Sequence, residues 1–253
     1  MSGSIAGHNV SSDVLEQFEK KDVELTVPKG APRPVLVIVM GPASCGKSTI
    51  GHDLSHALSL PFIDGDTLHP QSNIDKMSAG TPLTDDDRLP WLALIRSTAE
   101  RVSRDEWNDS GYKIRGFEEG GLGRPGVIIA CSALKKWYRD ILRGNVEASP
   151  PEKGDLPHNH PQANPSSDAH HPATANLLTL FLYCHGSPET LQARISARKG
   201  HFMGTQMLES QLRTLEDPRG EQGVAWVDIK ADKEEVGRRA VEGVRGLVKD
   251  LKD

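Results

Sequence analysis

The chain has 253 residues, 36% of them apolar and 26% charged, with a formal net charge of -5 at pH 7. That length holds one α/β domain with a sizeable core more readily than two, and the acidic balance argues against a nucleic-acid binder, which needs a concentrated basic surface. No apolar run approaches the roughly 18 residues of a membrane-spanning helix, and the opening MSGSIAGHNVSSDVLEQFEKK has neither the basic nor the apolar region of a secretory signal. An intracellular, cytoplasmic protein with no membrane partner is expected.

Residues 1–33 are polar and end in PKGAPRP, where proline blocks regular pairing, so they read as a flexible leader to a single domain over 34–253. VLVIVM (35–40) is a short, continuous, β-branched apolar run, the pattern of a strand covered on both faces. STIGHDLSHALSL follows with Ile50, Leu54, Ala57 and Leu58 at helical spacing. PFID (61–64) is a second strand, and Leu89, Leu92, Ile95 and Ala99 predict a helix from Asp85 to Arg104. GVIIACSAL (126–134) is a third strand, leading into a helix at KKWYRDILR. LLTLFLYC (177–184) and VAWVDI (224–229) are the fourth and fifth, before a closing helix. Strands alternating with helices imply a three-layer α/β/α fold around a parallel five-stranded sheet.

Two stretches interrupt that rhythm. Residues 107–125 are Gly-rich and loop-like. Residues 145–175, crowded with Pro, Asn, Ser and His, carry too little apolar surface to offset the entropy of ordering and are expected to be a disordered insertion. Its His158, His160, His170 and His171 have no carboxylate or cysteine pattern around them and do not make a metal tract. Cys45, Cys131 and Cys184 are scattered without metal-ligand spacing, and their odd number suggests no disulfide framework.

GPASCGKST (41–49) fits G-x-x-x-x-G-K-[ST] between a buried strand and a helix. Gly41 and Gly46 let the backbone of Pro42, Ala43, Ser44 and Cys45 bend so that successive N–H groups face a β-phosphate, and the helix beginning near Lys47 adds its positive end. Lys47 is placed to reach the β- and γ-phosphates and the Ser48 hydroxyl to ligate Mg²⁺. Thr49 is either helix-stabilising or an α-phosphate contact. Many such proteins end a later core strand in Asp to hold the metal, but this chain has Ala130, Cys131 and Ser132 there. The second acid must come from Asp64 or Asp66, which end the neighbouring strand.

Ligands of open α/β sheets bind beyond the carboxyl ends of the strands, where both the phosphate loop and DGD fall. Phosphoryl transfer to a hydroxyl needs one carboxylate for the nucleophile's proton and one for the metal side. Asp66 is assigned the acceptor hydroxyl and Asp64 the metal. Asp85, Asp86 and Asp87 open a helix, where acids favour the dipole. Arg88 behind them is either paired with those acids or turned to the cleft.

GPASCGKST, DGDTLHPQSNIDKMSAGTPLTDDDRLPWL, CSALKKWYRD and RKGHFMGTQMLESQLRTLEDP resemble, in order, the signature blocks of the gluconate kinase family, within the shikimate-kinase-like P-loop kinases. The resemblance runs from about residue 35 to 230, leaving out the leader and the two insertions. It implies a P-loop kinase fold with a small helical lid, and transfer of the ATP γ-phosphoryl group to the 6-hydroxyl of D-gluconate, giving 6-phospho-D-gluconate for the pentose phosphate pathway. It also suggests a homodimer. By position in the family motifs, Arg88 and Lys135 are the candidate substrate cations, with His69 and Ser132 as neutral partners; His69 has an equally simple structural role open to it. Of Lys135, Lys136 and Arg139, one in the cleft is expected and the others exposed on their helix. LQARISARKGHF resembles the lid of this class, with Arg198 as the catalytic cation and Arg194 on adenine or phosphate, Lys199 and His201 in support. Pro218 lies in a segment that resembles the adenine-side loop. Two other readings use the same phosphate loop: a shikimate-like or nucleoside-monophosphate kinase, and a nucleotide-gated switch without an acceptor. The switch leaves DGD, DDDR and the arginine pair unexplained.

Overall fold

The computed structural model describes residues 32–108, 120–157, 177–197 and 202–251. Arg198, Lys199 and His201, and the four histidines of the second insertion, lie outside the described residues. Five strands, β1 (Val35–Met40), β2 (Phe62–Asp64), β3 (Gly126–Ala130), β4 (Leu178–His185) and β5 (Val224–Asp228), form one parallel sheet in the order β2-β3-β1-β4-β5. β1 is central and fully buried. Its alternate residues feed two cores: Val35, Val37 and Val39 on one face, Leu36, Ile38 and Met40 on the other. Burying each such side chain contributes roughly 1.5–3 kcal/mol, which is why a run with no polar interruption can only be an inner strand.

The first core is closed by α1 (Lys47–Leu58) and α7 (Lys233–Lys249), the second by α3 (Asp85–Asn108) and α4 (Lys136–Arg143). The remaining helices are α2 (Gln71–Ser78), α5 (Pro188–Ser196) and α6 (Phe202–Thr214). From β1 the chain crosses to one side of the sheet, and from β3 it crosses to the other, so the strand order reverses at the carboxyl end of β1. GPASCGKS sits at that switch point, where open α/β sheets leave a crevice. Among the described residues, no helix is long and apolar enough to cross a membrane.

Part of each of the two stretches is described and packs on the domain. α3 continues to Asn108, and at the far end of the first insertion Leu122 is buried, its N–H donating to Leu58 O at 3.2 Å. The second insertion was expected to be disordered from 145, yet residues 145–157 are placed. Leu156 and Ala148 pack on the second core, and a 3₁₀ turn, Lys153–Asp155, presents the Asp155 carboxylate to Ser72, which donates from its backbone N (2.7 Å) and its Oγ (2.6 Å). The reason is capping. The residue preceding α2 is Pro70, which has no side-chain acceptor, so the orphan N–H of that helix is satisfied by an acid 83 residues away.

Arg139 also departs from expectation. It is not an exposed helix charge but a fully buried one. Its Nη1 donates to Ala133 O (2.9 Å) and Leu134 O (3.0 Å), and its Nη2 to Glu216 O (3.2 Å) and Glu221 Oε1 (2.5 Å). Nε completes the set on Glu221 Oε2 (3.2 Å). All the donors of a guanidinium are thereby used. The arrangement bolts the segment after α6 to the start of α4. Replacing Arg139 by Ala leaves Glu221 with one cation, Arg143, and orphans the carbonyls of Ala133 and Glu216, while Leu134 O keeps the Glu216 N–H. The expected loss is about 3–5 kcal/mol in urea unfolding, against less than about 1 kcal/mol for Lys136→Ala, whose exposed pair with Asp140 sets a small effect.

Candidate active site

The phosphate loop takes the shape its glycines allow. Gly41 has φ 142° and Gly46 φ 95°. A Cβ on Gly41 would lie 2.8 Å from Cys45 Sγ and 3.0 Å from Cys184 O, so a side chain is excluded on space as well as backbone angle. The loop is tied to the sheet by Gly41 N–H donating to Ser132 O (3.3 Å), which places Ser132 beside the loop. Lys47 Nζ lies 3.1 Å from both Gly41 O and Pro42 O. None of the first-turn residues of α1 is itself acidic, so the helix brings no acid of its own to its positive end. Thr49 is exposed there and Ser48 turns to Asp64, its Oγ donating to Asp64 Oδ2 at 2.9 Å. Burial raises the Cys45 thiol, but the Cys184 hydrogen bond and the Lys47 charge outweigh it and bring the pKa down to about 7. Cys131 is pushed up to about 12 by burial, which its backbone hydrogen bond at Ala133 and the Lys47 charge do not offset.

β2 delivers the two carboxylates. It pairs Asp64 with Ala130, so the acid lies beside the strand end where a metal-side Asp is missing. Beyond it the chain enters a 3₁₀ turn, Gly65–Leu68, capped by Asp64 Oδ1 accepting from Asp66 N at 3.1 Å. Gly65 is required by proximity: an added Cβ would fall 2.3 Å from Ala130 O. Asp66 opens to solvent on the cleft side. Even so, the protein packed around its carboxyl, and then the charge of Asp64, raise its pKa above the usual carboxylate range, with Lys47 opposing them.

Across the cleft stand the starts of α3 and α4. Thr84 and Asp87 form a reciprocal cap, and Asp87 also takes Lys76 in a salt bridge of 2.7 Å, so the Lys76 and Thr84 hydrogen bonds lower its pKa to about 2. Asp85 is spent differently. It accepts from Lys135 Nζ (2.5 Å) and from the Tyr138 hydroxyl, and the Lys135 bond, then the Tyr138 bond, lower its pKa. Arg88 forms no salt bridge with the acids before it. Its Nη1 donates to Leu83 O (2.6 Å) and Thr84 O (3.0 Å), and its charge is felt at His69, Asp85 and Tyr138. Arg88, Lys135 and His69 are thus brought to one wall. Lys136 is turned away to Asp140. Tyr138 was not anticipated from sequence, although its spacing of i+3 from Lys135 puts the two on one side of α4.

His69 is buried, 6% exposed, stacked on Trp91 at 4.1 Å, and near Asn73 Nδ2 through its Nδ1 (3.3 Å). Burial, then the Arg88 charge, lowers its pKa to about 4. It is therefore a neutral imidazole at physiological pH. The unfolded chain takes up a proton near pH 6.5 and the folded one only near 4, so its contribution to stability is complete above 6.5 and is lost as pH falls toward 4. On the order of 2–3 kcal/mol should disappear between pH 7.5 and 4.5 in urea unfolding, and His69→Gln should remove that component while leaving the carboxylate-driven remainder.

On the nucleotide side, Arg194 on α5 donates to Ile229 O (2.6 Å) and approaches Cys45 O (3.5 Å). It joins the phosphate loop to the segment after β5. Pro218 is buried in the segment between α6 and β5, and its carbonyl accepts from Glu221 N at 3.0 Å. Among the described residues, no group of three or more His, Cys, Asp or Glu side chains is arranged to hold a metal alone. The Ser48 hydroxyl and Asp64 carboxylate are hard oxygen donors side by side, which fits a small divalent cation that shares its shell with phosphate and water.

A five-stranded parallel sheet with a glycine-bent phosphate loop at its switch point, a helix behind that loop and two carboxylates at the adjoining strand end defines a P-loop kinase. A family model described as shikimate kinase matches residues 43–86, from the loop to the first turn of α3. The thermosensitive gluconokinase of Escherichia coli is 40% identical over 211 residues, covering 83% of this chain and 87% of that protein. A probable gluconokinase of Schizosaccharomyces pombe is 33% identical over 226 residues, covering 89% and 95%. The crystal structure of a gluconokinase from Sinorhizobium meliloti matches with a TM-score of 0.57 at 36% identity, covering 88% of this chain and 97% of that one. The chain belongs to the gluconokinase family.

Proposed function

We propose that the protein transfers the γ-phosphoryl group of ATP to the 6-hydroxyl of D-gluconate, giving 6-phospho-D-gluconate and feeding the pentose phosphate pathway. The observation that supports this reading is the Ser48–Asp64 pair beside the phosphate loop, on a strand whose next turn is tied to the Arg88 helix by Trp91 Nε1 donating to Gly65 O (2.8 Å). In this reading Lys47, Ser48 and Asp64 serve the nucleotide, Arg88, Lys135 and neutral His69 the acceptor, and Asp66 lies between the two sets. Gluconate has a carboxylate for a cation and a row of hydroxyls for neutral partners. Ser132, whose carbonyl holds Gly41, lies beside the phosphate loop and is a further neutral candidate in this reading.

In this reading the loop N–H groups and Lys47 bind the β- and γ-phosphates, and Arg194 borders the base with Pro218. Ser48 and Asp64 would hold Mg²⁺, which when bound supplies charge neutralisation on the phosphates. Asp66 orients the 6-hydroxyl and accepts its proton as the oxygen attacks phosphorus; its raised pKa makes it a better base than an ordinary aspartate. Arg198, close after α5, is assigned the cation that meets the transferring group. We extend the proposal, from the acidic charge balance and the lack of a signal-like opening, to a cytoplasmic protein without a nucleic-acid partner, and from family likeness alone to a homodimer.

The test is ADP release coupled to a reporter, over a panel of sugar acids, shikimate and nucleoside monophosphates. Turnover with gluconate far above all others is expected. Preferential turnover of shikimate or a nucleotide would replace the acceptor assignment, and ADP release indifferent to every acceptor would replace the kinase with a nucleotide switch.

A further inference from the structure

The phosphate loop has one partner from far along the chain. Ala43 N–H donates to Gln211 Oε1 at 2.6 Å, across a separation of 168 residues. Gln211 lies on α6 between Leu208, which is fully buried, and Leu212, which packs on the same core. Positions three and four apart share a helix face, so the two leucines hold that face toward the core and the glutamine toward the loop.

The direction of the amide is fixed by chemistry. A backbone N–H needs an acceptor, so the oxygen of Gln211 faces Ala43 and the Nε2 group points away. That nitrogen makes no hydrogen bond among the described residues. Lys47 Nζ ends at the carbonyls of Gly41 and Pro42, the two residues before Ala43, so the ammonium and the amide converge on the first three residues of the loop. A lysine in this position serves the β- and γ-phosphates, which makes this end of the loop the one nearest the transferred group. A carboxamide is the one side chain of this length suited to both tasks. Glutamate would accept from Ala43 but repel phosphate, whereas lysine or arginine would attract phosphate but have nothing to accept with.

We propose that Gln211 is a γ-phosphate contact, its oxygen held on Ala43 N–H while its Nε2 donates to an oxygen of the transferring phosphoryl group. This rests on reading GPASCGKS as a triphosphate cradle, and it adds a residue that the motif does not contain. It also distinguishes ATP from ADP, since only ATP carries the group the amide reaches.

The test compares the full-length protein with Gln211→Met, which keeps length and apolar contact, and Gln211→Glu, which keeps the acceptor for Ala43. Calorimetric binding of ADP and of the β,γ-imido analogue of ATP is measured alongside kcat and melting temperature. Expected for Met is ADP affinity within about twofold of the parent, analogue affinity about tenfold weaker and kcat lower by about 10- to 100-fold. Glu should lose analogue affinity at least as far as Met. Equal weakening of ADP and analogue would make Gln211 only a brace for the loop and overturn the proposal, as would analogue binding unchanged in both variants. A parent protein that binds neither nucleotide would instead remove the cradle reading, and the contact with it.

Discussion

Lys47→Ala is expected to abolish phosphoryl transfer, a fall of at least ~10³ in kcat, in a protein that melts where the parent melts. The separation of the two outcomes follows from what Lys47 touches. Its partly buried ammonium rests on the carbonyls of Gly41 and Pro42 and is paired with no carboxylate among the described residues, so removal orphans no charge and opens no core. What is lost is the cation that lies against charge as it shifts from γ-phosphate to the leaving ADP. ADP-release kinetics and a thermal melt on the same preparation check both halves. Full retained activity would contradict the phosphate assignment. An unfolded product would mean that the carbonyls of buried Gly41 and Pro42 depend on the ammonium for the fold.

Asp66→Asn should lower kcat by about 10²–10⁴ while the KM for ATP moves little, because Asn keeps the size and hydrogen bonding of the side chain but cannot take a proton. The pH profile gives a second reading. Asp66 must be ionised to act, and its pKa is raised by the protein packed around it and by Asp64, so the acid limb of the parent profile should lie above that of an ordinary aspartate and activity should climb through it. In the Asn variant that limb should vanish. A variant with weakened ATP binding and intact kcat would move Asp66 to the nucleotide side.

The fold was legible because its signals are local. A run such as VLVIVM has only one home in an α/β protein, and all five strands fall where apolar runs predict them. The phosphate loop was legible because its glycines answer to backbone geometry, which the sequence states directly. The partners were not legible. Nothing in CSALKKWYRD separates Lys135, which meets Asp85, from Lys136, which meets Asp140, and Arg139, which is entombed. The three are adjacent or nearly so, and two of their fates depend on distant partners: Asp85, 50 residues before Lys135, and Glu216 and Glu221, 77 and 82 residues after Arg139. Composition failed at 145–157 for the same reason: a polar stretch orders when it satisfies someone else's helix end, and Asp155 does that for Ser72. Gln211 left a faint trace, a polar residue on an apolar face between Leu208 and Leu212.

β2 has three residues, lies at the edge of the sheet and is only half-buried, yet it carries Asp64 and leads into Asp66. An edge strand pinned on one side by three register pairs opens at a smaller free-energy cost than the β1 centre. Heat should therefore disarm this protein before it melts it. Activity lost on warming should return on cooling, over a range where the β1 amides still resist hydrogen exchange and the Phe62–Asp64 amides do not.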